Sequence, residues 1–501
     1  MKKQSGLICC FLLPLAVMAQ PVAETHLDVV ADRLSFRHTL SQLVYENPAH
    51  QPLRFDSSFS SLAVGYEENR SDSQYLMQTG AGERFAEFEA LSYVRLDNRS
   101  CAWGEARYRN GLQFDVKWNE NADYERVFPY VTADTIGGNL NYESYYFKGG
   151  YGIQLNRFSV GVQMAYSSAL HYRQTDPRPK DNSVYINATV GGSCKMTARY
   201  SLGVHVFAER YTQNQTIAFL DPLGSVPVYH MSGLGMHYVR FAGTRTEAAY
   251  KGRSYRGGIT LKRLGETGVD AGLQVENYKL QKQLPSLSNA PINDVDQMKY
   301  EMDIVWKLRR VQLQLDGSYS VRSGSERIYD DGTTNWHEIT STTPYKYTEK
   351  QVMAAVLLQP FAGRRWTLEL MPSAGYRQEE ESYYPLRSQA FDRVGLRLAA
   401  SLHCRLERHL FSFGVQGGWL HCLSSIQRVE NPDYFPYSDE MLRRNYANLS
   451  ADLNSLQLHF QHNALLKRMP ASIYWRLGYS LMSTFRGYAS HGASLSVGFT
   501  I

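Results

Sequence analysis

From residue 56 onward, apolar and polar residues alternate at period 2 in segments of about ten residues. In segment 158–173 one face carries Phe158, Val160, Val162, Met164, Tyr166, Leu170 and Tyr172. The other carries Ser159, Gly161, Gln163, Ala165, Ser167, His171 and Arg173. The same reading holds for 311–322, where Leu313 and Leu315 oppose Gln312, Gln314 and Asp316. It holds again for 393–403 and 473–481. About eighteen such strands can be counted, with 14 or 16 as alternatives.

Alternation also suits a soluble sandwich. The connections decide between the two. Short ones, such as 97–100, 156–157, 309–310 and 407–409, alternate with long ones at 67–83, 109–140, 173–183, 210–251, 281–297, 323–345, 379–389 and 423–445. A final connection spans 486–491. Short turns at one rim and long loops at the other predict a closed antiparallel transmembrane β-barrel, all-β, in the bacterial outer membrane. At eighteen strands the interior is wide enough for water or a plug. The last segment alternates Leu495, Val497 and Phe499 with Ser494, Ser496 and Gly498, like a closing strand, though it ends on Ile501.

The first 54 residues follow other rules. Lys2 and Lys3 precede an apolar run from Leu7 to Val17, then a Val17-Met18-Ala19 cleavage motif, so 1–19 is expected to be a signal peptide. In 20–54, Leu27, Val30 and Leu34, then Leu40, Leu43 and Val44, recur at helical spacing until Asn47-Pro48. This N-terminal segment lies in the periplasm or folds into the lumen, the periplasmic lead-in being the plainer reading. The barrel is expected over 55–501.

Composition changes the picture little. The chain has 501 residues, 43% hydrophobic and 20% charged, and 35 are tyrosine, which suits a β-rich protein with aromatic girdles. The mean hydropathy of −0.40 excludes a bundle of membrane helices. A net charge of +5 without a clustered basic stripe gives no reason to expect nucleic acid.

Three segments carry a resemblance: Phe128-Pro129-Tyr130-Val131-Thr132-Ala133-Asp134, Thr175-Asp176-Pro177-Arg178-Pro179-Lys180, and Tyr229-His230-Met231-Ser232-Gly233-Leu234-Gly235-Met236. Through them the chain resembles a family of Bacteroidota outer-membrane β-barrels of unassigned function. That resemblance implies the barrel, the compartment and an association with TonB-linked uptake loci. It implies no catalytic residue and no solute. Asn47-Pro48-Ala49 is also similar to the N-terminal part of hydrophobe-uptake barrels.

Two loops carry candidate chemistry. His230, Met231, Met236 and His237 form a soft donor set that suits copper or an iron porphyrin. The plain alternative is a loop packed on the inner wall, with methionine filling gaps. Asp176, Arg178 and Lys180 sit on a proline-stiffened tip that could bind a solute carboxylate or a lipopolysaccharide phosphate. The plain alternative there is an Asp176–Arg178 pair in a stiff turn. Cys101, Cys194, Cys404 and Cys422 fall on different faces and rims, so no disulfide is expected. No cofactor is implied.

A lipase barrel would need Ser and His converging on one rim. His403, His421, Ser424 and Ser425 are the residues available, and Glu379-Glu380-Glu381 reads as a solvated loop tip. The expectation is no enzyme. The favoured function is solute or nutrient passage or capture at the cell surface. The competing one is an accessory or structural subunit of a TonB-linked uptake complex with a plugged lumen. A continuous lumen favours the first, and a lumen blocked by the N-terminal segment or by loop 210–251 favours the second. Expected partners are outer-membrane lipid and lipopolysaccharide, the barrel assembly machinery and a TonB-dependent receptor.

Overall fold

The structure, a computed structural model, describes residues 23–221, 226–243, 246–330, 337–363, 365–430, 436–467 and 469–501. The expected signal peptide, 1–19, lies outside the described residues. Eighteen antiparallel strands form one sheet. They are β1 (Phe59–Ser71), β2 (Gly82–Arg95), β3 (Ser100–Val116), β4 (Gly138–Leu155), β5 (Phe158–Tyr172) and β6 (Arg178–Lys195). Then come β7 (Tyr200–Ala218), β8 (Glu247–Arg263), β9 (Gly268–Leu284), β10 (Ala290–Lys307), β11 (Val311–Tyr329) and β12 (Glu338–Ala362). The last six are β13 (Trp366–Tyr383), β14 (Arg387–Leu406), β15 (His409–Val429), β16 (Leu453–Leu465), β17 (Ser472–Thr484) and β18 (Ala489–Thr500).

Each strand pairs with its neighbours in sequence, and β18 pairs with β1 through Val64–Val497 and Tyr66–Leu495. The ladder therefore has no open edge. Ile501 extends the closure, exchanging two 2.9 Å backbone hydrogen bonds with Ser60. Side-chain burial follows the sequence register. On β5, Phe158, Val160, Val162, Met164 and Tyr166 are exposed on the outside, while Ser159 and Ala165 are buried within. Gln163 points inward and accepts a hydrogen bond from the Trp103 indole at 3.0 Å. A closed sheet with an apolar outer belt and short turns at one rim is a barrel of the bacterial outer membrane.

Several expected long loops turn out to be strand. Connection 281–297 is a turn over 285–289, and 379–389 is a turn over 384–386. Connection 210–251 shrinks to 219–246 because β7 and β8 run on. The apolar face ends at the membrane, which is where the sequence reading stopped. The backbone ladder does not need that face. Polar extensions keep pairing in water and raise the wall above the bilayer.

The N-terminal segment lies in the lumen. Helix α1 (Ala23–Leu34) packs Leu27 and Val30 on Leu410 and Leu465 of the wall. The chain then circles the periplasmic end. The Ser35 hydroxyl and the Phe36 amide donate to Glu369 at 2.6 and 2.7 Å, and Ser41 donates to Asp270 at 3.2 Å. After α2 (Gln42–Tyr45), a 3-10 turn over Pro48–Leu53 lies against β4 to β7.

Its seat is made of glycine. Gly152, Gly161 and Gly191 stand directly opposite one another on β4, β5 and β6. A Cβ on Gly161 would fall 2.4 Å from the Pro48 carbonyl, and one on Gly191 would fall 2.0 Å from Asn47 Oδ1. Gly203 makes the same room for Asn47 and His50. Asn47 Nδ2 donates to the carbonyls of Gly192 and Val204, both at 3.3 Å. Burial pushes the His50 imidazole down to about 3. It stays neutral beside Thr260, with Nε2 3.0 Å from the hydroxyl.

Replacing Val160, near the start of β5, by Arg places a charge on the lipid face, where the cost rises from about 0–1 kcal/mol near the interface to roughly 2–4 kcal/mol at mid-membrane. Gln163→Arg places it in the lumen. The folded, heat-modifiable fraction in outer-membrane preparations is expected to drop for Val160→Arg and to hold for Gln163→Arg. Equal yields would refute the register.

Candidate functional site

At the extracellular end the loops turn inward and form a lid. Residues 229–233 and 236–237 make a hairpin, and 132–133 join it through Thr132–His230 and Ala133–Tyr229 pairs. The hairpin turn runs through three positive φ values: Gly233 at 99°, Leu234 at 47° and Gly235 at 73°. A Cβ on Gly233 would meet the Tyr345 ring at 2.5 Å, so glycine lets the turn touch the wall. Helix α3 (Tyr124–Val127) and helix α4 (Pro436–Leu449) complete the lid. Val127, Tyr130, Val131, Met231, Leu234, Met441 and Leu442 pack with wall residues Tyr211 and Tyr250 in one apolar cluster.

Polar contacts clamp the lid. Arg387 donates to the Leu234 carbonyl at 2.9 Å and pairs with Asp439 on α4 at 2.9 Å. Asn445 on α4 accepts from the Met77 amide at 3.0 Å and donates to Gln78 at 2.8 Å. Deepest is a buried group of three: Arg173 lies 3.0 Å from Glu120 and 3.8 Å from Asp134. Burial holds the Glu120 carboxyl well above its ordinary range, and Asp134 pushes it the same way while Arg173 opposes.

Beneath the lid lies a cavity of about 400 Å³, within the range of small-molecule sites. Its roof includes Tyr124, Phe128, Met231, Leu234 and Met441. Its wall includes Arg322, Tyr347, Glu349, Arg377 and Glu381. Arg322 holds the roof, donating to the Phe128 carbonyl at 3.0 Å. Arg377 bridges Glu349 and Glu379 at 3.0 and 2.9 Å. Two further cavities continue down the same side. One of about 290 Å³ has Arg377, Arg393, Gln351 and Arg397 in its lining. One of about 450 Å³ has Gln351, Arg397, Glu301, Asp303 and Asp316, and ends on Thr39, Gln42 and Glu46 of the N-terminal segment. Shared residues join each cavity to the next.

The His/Met loop is in the lid. Met231 and Met236 are buried, Met231 in the apolar cluster, and His230 is fully buried on the opposite face of its strand from Met231. His237 meets Tyr229 edge-on at 5.2 Å between ring centres. Among the described residues, no group of three or more His, Cys, Asp or Glu could hold a metal ion. At the other loop, Arg178 pairs with Asp176 at 2.6 Å. Asp176 also accepts from the amides of Leu220 and Asp221 at 2.7 and 3.0 Å. These backbone contacts, with Arg178 adding to them, hold its carboxyl below the usual range. Lys180 is exposed on β6. The pair thus ties two loops together.

The enzyme candidates have separate partners. His403 lies between the hydroxyls of Ser401 and Ser412, His421 pairs with Asp452, Ser424 donates to Asp392, and Ser425 meets the Tyr446 hydroxyl. The four described cysteines are free. Glu379-Glu380-Glu381 is not a solvated tip: it lies on β13, with Glu379 and Glu381 turned toward the lumen. Alternation along a strand, rather than repulsion at a loop tip, separates these charges.

Sequence reasoning missed the cavity wall. Arg322, Tyr347 and Arg377 look like any other inward polar residue of eighteen strands, and nothing local says which share a height. Helix α4 did leave a signal: Met441 and Leu442, at the end of the stretch 423–445 read as loop, continue at helical spacing to Tyr446 and Leu449.

Residues 48–501 match the family described as a family of unknown function, DUF6850. The chain belongs to that family. No curated protein matches this DUF6850 chain. Among solved structures it is similar to the ferric preacinetobactin receptor BauA of Acinetobacter baumannii, at 8% identity, with 89% of this chain and 80% of that one covered and a TM-score of 0.39. It is also similar to the copper transporter OprC, at 6% identity, 86% and 64% covered and a TM-score of 0.42. A third is the monoaromatic hydrocarbon channel CymD, at 11% identity, 92% of each chain covered and a TM-score of 0.32.

Replacing Arg173 by Met strands two buried carboxyls, and breaking a buried pair in this way costs about 3–5 kcal/mol. Amide exchange across 117–137 is expected to speed up sharply while the barrel stays heat-modifiable. Unchanged exchange would show that the three charges do not clamp the lid.

Proposed function

We propose that the protein takes up a small polar solute at the cell surface through a lumen that its own chain closes at rest. The observation that carries this reading is the run of three cavities from the lid to the N-terminal segment, joined by Arg377, Gln351 and Arg397. The solute enters the upper cavity, where aromatic rings offer stacking and the Arg and Glu side chains offer charge of both signs. Onward movement needs the N-terminal segment to shift. His230, Met231, Met236 and His237 serve the lid in this reading, and no catalytic step is involved.

The second reading is an accessory subunit of a TonB-linked complex, with capture but no passage. The closure of the lumen at both ends favours it, by the criterion set from the sequence. Both readings keep lipopolysaccharide and a TonB-dependent receptor as proposed neighbours.

Deleting 226–241 removes the hairpin at the centre of the lid. Planar-bilayer conductance, or solute flux into liposomes, is expected to rise severalfold, with a further rise when 23–54 are also removed. Unchanged flux through a folded double deletion would overturn passage and leave the accessory reading.

A further inference from the structure

The short-turn rim carries a feature that solute uptake does not use. Four adjacent turns, after β10, β12, β14 and β16, expose Arg309, Arg310, Arg365, Arg408 and Lys467, with Glu407 as the single exposed carboxylate among the described turn residues. None of the five cations forms an ion pair among the described residues. Exposed Arg99, Arg157 and Arg199 continue the ring on the far side, joined there by Asp97 and Glu266. Among the described turn residues the rim thus exposes eight cations and three carboxylates.

The four-turn arc also has apolar anchors. Trp306 precedes the first turn, and Phe361 and Trp366 flank the second. All three point outward, with 51%, 67% and 51% of their surface exposed. Leu406 and Met469 repeat the arrangement at the third and fourth turns. Large outward rings sit at the level of lipid headgroups. The cations one to four residues from them are therefore held at the phosphate layer of the periplasmic leaflet. Guanidinium groups are suited to phosphate oxygens.

We infer that this arc is a binding surface for anionic phospholipid, holding headgroup phosphates of the periplasmic leaflet around β10 to β17. The inference rests on the barrel and its orientation, and not on the solute reading. The surface draws a shell of acidic lipid to one side of the barrel and fixes its depth in the bilayer.

The test uses the full mature chain in nanodiscs of phosphatidylcholine with a minor share of spin-labelled phosphatidylglycerol or spin-labelled phosphatidylcholine. Motionally restricted lipid is counted by electron paramagnetic resonance. The wild type is expected to prefer phosphatidylglycerol by about threefold or more at low salt and to lose most of that preference in high salt. A variant with Arg309, Arg310, Arg365, Arg408 and Lys467 all changed to Gln is expected to show a ratio near one. Arg443→Gln at the opposite rim, exposed on α4, should keep the wild-type ratio. Heat-modifiability confirms that each variant is folded. No preference in the wild type, or an undiminished one in the five-site variant, would overturn the inference. Salt-sensitive pull-down on purified peptidoglycan without lipid preference would overturn it in favour of the cell wall.

Discussion

A sheet in hydrocarbon has no water to satisfy an open edge, so every strand must find two neighbours. The β18–β1 pairing meets that demand, and much of the remaining structure follows from it. Closing eighteen strands encloses more space than side chains from the wall can fill. The space can be left wet or occupied by the chain itself. Here it is occupied at both ends, and the wall has been shaped for the occupants. Gly152, Gly161 and Gly191 leave room for Pro48, Pro52 and Asn47, and Gly233 serves both its positive φ and the approach of Tyr345.

The two closures differ in kind. The floor is held by glycine clearance, by Asn47 on wall carbonyls, by small apolar contacts such as Leu27 and Val30 on Leu410 and Leu465, and by part-exposed ion pairs of Glu46 with Arg256 and Asp28 with Arg405. The lid has an apolar cluster and charges that are buried together. A buried pair is costly to break yet adds little net stability compared with apolar packing. The Arg173, Glu120 and Asp134 group therefore specifies where the loop sits more than it strengthens the fold. Between lid and floor the wall keeps charges of both signs, some paired, as Arg377 with Glu349 and Glu379, and some held by neutral groups, as Glu381 by Tyr345 and Gln389.

The barrel was legible in the sequence because burial on one face of a strand forces a period of 2, and Val160 against Gln163 shows it directly. Strand ends were less so. The signal used was the apolar face, which stops at the bilayer, whereas hydrogen bonding carries β9 to Leu284 and β13 to Tyr383. The candidate metal residues His230, Met231, Met236 and His237 lie in the lid, where the loop packs inward with Met231 and Leu234 in its apolar cluster, as in the plain alternative. What the sequence could not reveal was the meeting of Arg322, Tyr347 and Arg377 with Phe128, because height along the barrel is a property of register across many strands. Two of the three segments carrying the family resemblance, 128–134 and 229–236, proved to be paired strands of one lid.

The central claim is that the chain's own N-terminal segment occupies the floor of the lumen. A cross-link tests it most directly. A Cβ on Gly272 would lie 3.3 Å from the Leu43 Cβ, close to the roughly 3.5–4.5 Å span of a disulfide. The measurement is oxidation of a Leu43→Cys, Gly272→Cys variant with Cys101, Cys194, Cys404 and Cys422 changed to Ser, read by intact mass and reducing-agent-sensitive gel mobility. A near-complete intramolecular cross-link in folded protein is the predicted result. Two free thiols in a folded barrel would contradict it.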